Sequence, residues 1–242
     1  MEANLYILLS VAFAGVIHSG FSLGASMLAL LSGHSLSRKR SHMRLLGLTG
    51  GFVAGSFAMI LLLLLAITYT GLLVVASDHP VTYLILGTLL DLSGLWVMFF
   101  YYRRGREGTA LWIPRSFARY LSERTAHTKS SAESFVLGAA SVVYELPITI
   151  WLLLTASLSV TQLGSVLQIP ALAGYSLIAV IALLVVFILI GGGHTGASLT
   201  RFRARYKRFL QILIGLSMIA LGASLFWNNY YNVMADTGMW LW

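Results

Sequence analysis

The chain contains no cysteine among its 242 residues, and only 10% of those residues are charged. The absence of cysteine excludes disulfide scaffolds, thiolate metal sites and dithiol electron relays. The low charge content excludes an ordinary soluble domain, in which about 25% of residues are charged. Hydrophobic residues make up 58% of the chain, and its mean hydropathy is +0.83. This composition predicts an integral membrane protein.

Basic residues are confined to three short clusters. The clusters are Arg38, Lys39, Arg40 and Arg44; Arg103, Arg104, Arg106, Arg115, Arg119, Arg124 and Lys129; and Arg201, Arg203, Arg205, Lys207 and Arg208. The loops at 76–80 and 161–170 contain no Lys or Arg. Because cytoplasmic loops keep these residues while translocated loops lose them, the pattern predicts six spans with both termini outside the cytoplasm. The formal net charge of +8 then follows from topology, and no nucleic-acid partner is expected.

Six apolar stretches are each long enough for the ~20 residues of a membrane-spanning helix. They cover residues 4–31, 45–73, 81–102, 134–159, 171–190 and 209–227. The linker at 103–133 places Leu111 and Trp112 near Arg115 and Arg119 at near-helical spacing. We expect it to be an amphipathic helix on the cytoplasmic leaflet, with anionic lipids bound along 103–129.

Spans three and six share a sequence pattern. Leu-Ile-Leu-Gly at 84–87 is followed by Gly94, and Ile-Leu-Ile-Gly at 212–215 is followed by Gly222. This similarity predicts two halves of three spans each, and an odd number of spans inverts the second half relative to the first. The expected fold is therefore all-α and integral to the cell inner membrane, with two inverted three-helix repeats. The repeats occupy residues 1–102 and 134–242, and the second ends in an external aromatic tail.

Two local patterns concern helix packing and helix starts. Gly47, Gly51 and Gly55 recur at four-residue steps, which predicts close contact with another helix along one face. Ser130 followed by Glu133 predicts a capping box at the start of span four.

Three ionisable residues fall near the middle of predicted spans: His18 in span one, Asp91 in span three and Glu145 in span four. Because ionisable groups are costly in lipid, those that occur there usually serve function. We expect them to share one polar site, in which Glu145 carries a coupling proton or binds a cation. A divalent metal is an alternative ligand, because one His and two carboxylates can bind zinc, manganese or iron. The alternative for each residue is a structural hydrogen bond to a neighbouring helix.

Residues around this site could bind substrate or act as gates. Ser22 and Ser26 share one face of span one with His18, so their hydroxyls can complete the site. Glycines weaken the helix of span one, and a proline interrupts that of span four. Spans one and four are the first spans of the two halves, and a pair of interrupted helices at corresponding positions is typical of a transporter's binding site. The predicted gating residues are Gly20, Gly24, Pro147 and His194.

These features resemble the LysE-type exporters and the CcdA/DsbD-type membrane proteins. The resemblance rests on the six-span inverted repeat, the basic loop after Leu31-Ser32-Gly33-His34 and the Gly-x6-Gly pattern that ends each half. Relatives of the second type carry a cysteine where this chain has Ser19 and Ser22, so their thiol relay cannot be carried over. The resemblance implies the fold and a central pathway open to both sides.

The function expected from the sequence is secondary transport, as an exporter or exchanger of a small solute or metal cation, with alternating access and proton coupling. One alternative is a non-transporting scaffold or partner subunit. Another is a redox or assembly protein with haem bound by His18 or His194, although no resident cofactor is expected. No enzyme activity is expected, because the His-Glu-x-x-His metalloprotease motif is absent. A homo-oligomer is compatible with these patterns.

Overall fold

A computed structural model describes residues 2–21, 42–70, 80–100, 123, 128, 130–192 and 196–237, which are helical apart from short turns and helix ends. This confirms the predicted all-α class. Seven helices lie within those residues. They are α1 Glu2–Phe21, α2 His42–Tyr69, α3 Pro80–Phe100, α4 Ser131–Thr161, α5 Ser165–Ala179, α6 Ile181–Gly191 and α7 Gly196–Thr237.

Five of these helices are long and apolar enough to cross a membrane, and α5 with α6 forms a sixth span if the bent pair is counted as one. Only 33–39% of the residues in the five spans are buried inside the bundle. Large apolar side chains such as Leu62, Ile188 and Phe209 are 59%, 67% and 64% exposed. On helices of this length and hydropathy, an exposed apolar surface of this extent is typical of contact with lipid. The described chain is therefore that of a multi-pass membrane protein.

Helices α2 and α4 run parallel and in close contact. A methyl group at Gly51 would lie 2.6 Å from the carbonyl oxygen of Ser131, and one at Gly55 would collide with the carbonyl of Phe135. Gly138 of α4 lies equally close to the backbone of α2. Residue numbers rise together along both helices, which shows the parallel direction. The predicted role of the glycine steps in close packing is confirmed.

Helices α3 and α7 pack in the opposite sense, through the glycines that the sequence repeat singles out. An added methyl group at Gly87 would lie 3.0 Å from the carbonyl oxygen of Gly222, and one at Gly94 would lie 2.7 Å from that of Gly215. The side chain of Gln211 donates to two carbonyls of α3, each at 2.7 Å. The shared Gly-x6-Gly pattern thus forms an antiparallel contact between spans three and six.

The start of α4 has the predicted capping geometry. Ser130 is the N-cap with an extended backbone, and its side-chain oxygen accepts a hydrogen bond from the backbone N–H of Glu133 at 3.2 Å. This bond satisfies one of the free N–H groups that open every helix. Of the linker predicted at 103–133, residues 130–133 form the cap and first turn of α4. The rest of the linker, apart from Glu123 and Thr128, and the aromatic residues at 238–242 lie outside the described residues.

Of the two predicted interruptions, the one in span four is absent, because α4 is continuous across Pro147. Helix α1 is continuous through Gly20 to Phe21, and the remainder of predicted span one lies outside the described residues. A break that was not predicted lies in span five at Val180, where α5 and α6 meet at 52°. Pro147 removes only one backbone donor. The other hydrogen bonds of this 31-residue helix, together with its packing on neighbouring helices, allow α4 to continue past the proline. At the break, Ser176 bonds back to the carbonyl of its own helix at 2.9 Å, a contact that often bends helices.

Candidate functional site

A small polar cavity lies where five helices meet at the break in span five. It is lined by His18 of α1, Ser56 and Ile60 of α2, Ser141, Val142 and Glu145 of α4, Ala179 of α5, Val180 at the break and Leu183 of α6. Its volume of about 10 Å³ is close to the minimum that one water molecule needs. The cavity thus combines a discontinuous span with two of the three predicted ionisable residues.

His18 is almost fully enclosed, with 2% of its surface exposed. Its Nδ1 atom is hydrogen-bonded to the hydroxyl of Tyr175 on α5 at 2.9 Å, and the two rings meet edge to face. Its Nε2 atom is buried and has no hydrogen-bond partner in the described part of the chain. One ring nitrogen is therefore fixed by a neighbouring helix, and the other is buried without a hydrogen-bond partner among the described residues.

The two serines of the cavity share one backbone acceptor. Ser56 donates to the carbonyl of Gly138 at 3.1 Å and lies at the same distance from that of Phe52. Ser141 donates to the Gly138 carbonyl at 2.7 Å. Because a hydroxyl has one proton, each serine oxygen offers only lone pairs to any other group. Both serines, on α2 and α4, line the cavity as acceptors.

Glu145 contributes the carboxyl group of the cavity and is 7% exposed. The hydroxyl of Thr149 donates to its backbone carbonyl at 3.1 Å, one turn further along α4. Glu145 and His18 therefore lie near each other, as expected from the sequence, because both side chains line the same cavity. Two ionisable groups in one enclosed space can exchange or share a proton.

Asp91 does not join this pair. Its side chain faces α7, where its Oδ1 atom lies against Gly222 and has no hydrogen-bond partner among the described residues. Asp91 shares a helix face with Gly87 and Gly94, and that face packs on α7. Within the described residues, no three His, Asp or Glu side chains are arranged to hold a metal ion. The predicted metal set of His18, Asp91 and Glu145 is therefore not assembled.

The predicted gating residues have separate outcomes. Gly20 lies at a close approach to α7, where an added methyl group would be 2.8 Å from Ile214. Pro147 faces away from the cavity, into an apolar groove of about 420 Å³ between α3 and α4 that also contains Trp96. The remaining residues assigned to the site or its gates lie outside the described residues, namely Ser22, Gly24, Ser26 and His194.

Residues 20–24 also match the Gly-x-Ser-x-Gly pattern of serine hydrolases. In those enzymes the pattern forms a sharp turn between a strand and a helix. Here Gly20 and Phe21 continue helix α1, so the start of the pattern lacks that setting. The pattern does not support a hydrolase.

Comparison with known proteins gives no match: no known protein family, no curated protein and no solved structure is significantly similar to this chain. The resemblance to LysE-type and CcdA/DsbD-type proteins therefore remains an expectation from the sequence. The functional argument rests on the residues and geometry of the chain itself.

Proposed function

We propose that the chain is a secondary transporter that moves a small solute by alternating access around the cavity of His18 and Glu145. The observation that carries the proposal is the position of these two residues at the break in span five. Ionisable residues within spans are rare and usually mark a substrate or ion pathway. Discontinuous helices beside such residues are a common construction of transporter binding sites.

The direction of the helices supports an arrangement of two inverted halves. If six spans cross the membrane in alternating directions, spans two and four are parallel and spans three and six are antiparallel. The contacts of α2 with α4 and of α3 with α7 have these directions. In the repeat, Gly87 corresponds to Gly215 and Gly94 to Gly222, so the contact of Gly87 with Gly222 and that of Gly215 with Gly94 are equivalent in the two halves. We extend this to the proposed topology, in which the basic clusters are cytoplasmic and both termini are outside.

In the proposed transport cycle, the structure corresponds to a closed state. The cavity has room for about one water molecule, and both ionisable side chains are shielded from the surroundings. Movement of α6 relative to α5 about Val180 would enlarge the cavity, because Val180 and Leu183 form part of its wall. Alternating access requires such an opening to one side at a time.

A scaffold subunit is the second candidate, and the close backbone contacts of α2 with α4 favour it. In that case the hydrogen bonds of His18 and the serines would only join helices. Haem ligation by His18 is less compatible with the structure, since the ring is 2% exposed and the cavity that it lines has the size of one water molecule. The scaffold and the transporter differ in whether solutes move.

Transport is tested with the purified full chain in liposomes, screened for uptake of radiolabelled small solutes under an imposed pH gradient. For a solute that is moved, Glu145→Gln should abolish uptake, because the variant keeps the size of the side chain and removes its exchangeable proton. Glu133→Gln is the matched control: Glu133 is exposed at the start of α4, and glutamine also suits a capping box. Equal uptake by Glu145→Gln and the wild type would contradict the role of the cavity.

A further inference from the structure

Asp91 is an ionisable residue that the cavity of His18 and Glu145 does not use. It lies eleven residues after Pro80 and nine before Phe100, near the middle of α3. Its Oδ1 atom is buried and has no hydrogen-bond partner in the described part of the chain. Ionisable groups at this depth are costly in lipid and usually pair with another polar group. The position of Asp91 therefore calls for a partner.

The contact with α7 supplies no donor to this carboxyl group. A methyl group added to Gly222 would collide with Oδ1 and would lie 2.7 Å from the carbonyl oxygen of Gly87. Both oxygens are acceptors, and they face the same point of α7. The backbone N–H of Gly222 is used within its own helix, because α7 is continuous there. The hydroxyl of Thr88, one turn earlier on α3, donates to the carbonyl of Leu84 at 2.8 Å.

The apolar stretches of the chain offer no cation to Asp91. They contain no Lys or Arg, and their one histidine, His18, is 2% exposed and bonded to Tyr175. On α7, Arg208 precedes Gly222 by fourteen residues, which is about 21 Å along the helix. A second copy of the chain has the same sequence, so it brings no Lys or Arg to this depth. Lipid head groups lie at the membrane surface, outside the hydrocarbon core.

The surface around the carboxyl group is open on the lipid side of α3 and α7. Asp91 is only partly buried, and Thr88 and Leu95, one turn to either side of it, are exposed. On α7, Ala223 follows Gly222 and is also exposed. Thr88, Asp91, Leu95 and Ala223 form the Asp91 face. Small residues such as alanine and threonine let a further helix approach closely.

We propose that the Asp91 face binds a membrane-spanning helix of a partner protein that carries a Lys or Arg at mid-membrane depth. The cationic side chain donates to the Asp91 carboxylate, and the two charges then neutralise each other within the lipid. The apolar residues of the partner helix pack on Leu95 and Ala223. A bound proton would also neutralise the carboxylate, but it would create no preference for a cationic helix.

This interaction is independent of the proposed transport. The Asp91 face lies on α3 and α7, whereas the cavity of His18 and Glu145 is lined by α1, α2, α4, α5 and α6. A partner helix on the Asp91 face therefore does not enter the cavity.

The proposal is tested with model transmembrane peptides and the fluorescently labelled full chain in liposomes, with association measured by energy transfer. One peptide has a leucine span with a single central arginine, a second has leucine at that position, and a third has its arginine at the end of the span. The central-arginine peptide should bind about tenfold more tightly than the other two, equivalent to about 1.4 kcal/mol. Polar contacts between membrane helices reach this magnitude.

Two substitutions locate the contact. Asp91→Asn keeps the size of the side chain and removes its charge, so the preference for the central arginine should be lost. Ala223→Leu should weaken binding of the central-arginine peptide, because the larger side chain keeps the peptide helix away from the carboxyl group. Since Ala223 is exposed, leucine there is compatible with the fold, and this variant serves as the test if Asp91→Asn does not fold. Glu133→Gln is the matched control, because it removes an exposed carboxylate at the start of α4, and it should retain the preference.

Three results would overturn the proposal. Equal binding of the central-arginine and leucine peptides would show that a proton alone neutralises the carboxyl group. An unchanged preference in a folded Asp91→Asn protein would place the contact elsewhere. Energy transfer between two labelled copies of the chain that is lost in Asp91→Asn would assign the face to a second copy.

Discussion

Substitution of Gly138 by alanine tests whether α2 and α4 are in backbone contact. The added methyl group would collide with the carbonyl oxygen of Phe52 and would lie 2.9 and 3.1 Å from its carbonyl carbon and Cα. These are backbone atoms, so relief requires the helices to separate. Separation would also weaken the bonds from Ser56 to Gly138 and from Ser134 to the α2 backbone.

The expected loss of stability for Gly138→Ala is about 2–4 kcal/mol. Overpacking of a tight contact costs about 1–3 kcal/mol. Each of the two interhelical hydrogen bonds adds about 0.6 kcal/mol, the average measured in a membrane protein. Since 1.4 kcal/mol corresponds to a factor of ten, a loss of about 3 kcal/mol raises the unfolding constant roughly a hundredfold.

The measurement is equilibrium unfolding in mixed micelles of mild detergent and dodecyl sulfate, followed by circular dichroism. Gly174→Ala is the matched control, because Gly174 lies inside α5 and has no neighbouring atom within 4 Å of an added methyl group. Alanine there should leave stability unchanged or raise it by about 0.5–1 kcal/mol, since glycine is the poorer helix former. Equal stability of Gly138→Ala and Gly174→Ala would refute the contact.

Three further substitutions have defined outcomes in the same unfolding assay. Tyr175→Phe should lower stability by about 0.6–1.7 kcal/mol, because it leaves Nδ1 of His18 without its partner, and no change would contradict that bond. Gln211→Leu should cost about 1 kcal/mol through loss of its bonds to α3, and a stabilised variant would show that the amide is dispensable. Ser130→Ala should cost about 1 kcal/mol as the α4 cap, whereas Ser130→Asp should retain stability.

Much of the fold follows from sequence patterns that act over short distances. The length of an apolar stretch fixes whether a helix can span lipid, and the glycine steps identified the packed face of α2. The capping pair Ser130 and Glu133 was found for the same reason, since both residues act within one turn. These features depend on neighbours in the chain rather than on the assembled bundle.

The break in span five could not be read from the sequence. Val180 is flanked by alanine and isoleucine, and no proline or glycine lies within five residues of it. Pro147, the obvious candidate, lies in an uninterrupted helix. A helix bends where packing on several neighbours makes bending favourable, and that depends on contacts distant in sequence.

The candidate site was partly predictable. His18 and Glu145 were identified because ionisable residues are rare within spans. Asp91 was wrongly grouped with them, although its spacing from Gly87 and Gly94 already placed it on the helix face that packs on another helix. Tyr175 and the acceptor serines gave no signal, because tyrosine and serine are common in such helices and only the fold brings them to His18.

Accessibility of the cavity to each side of the membrane is the central claim, and the absence of cysteine allows a direct measurement. Ser141→Cys introduces one thiol into the cavity wall, and Ser157→Cys introduces one at a fully buried position of α4 that does not line the cavity. Each is treated with a membrane-impermeant thiol reagent from one side at a time. The account predicts labelling of Ser141→Cys from both sides, with rates that change with pH or a moved solute, and none of Ser157→Cys. A folded Ser141→Cys protein that resists labelling from both sides would contradict it and leave a static scaffold.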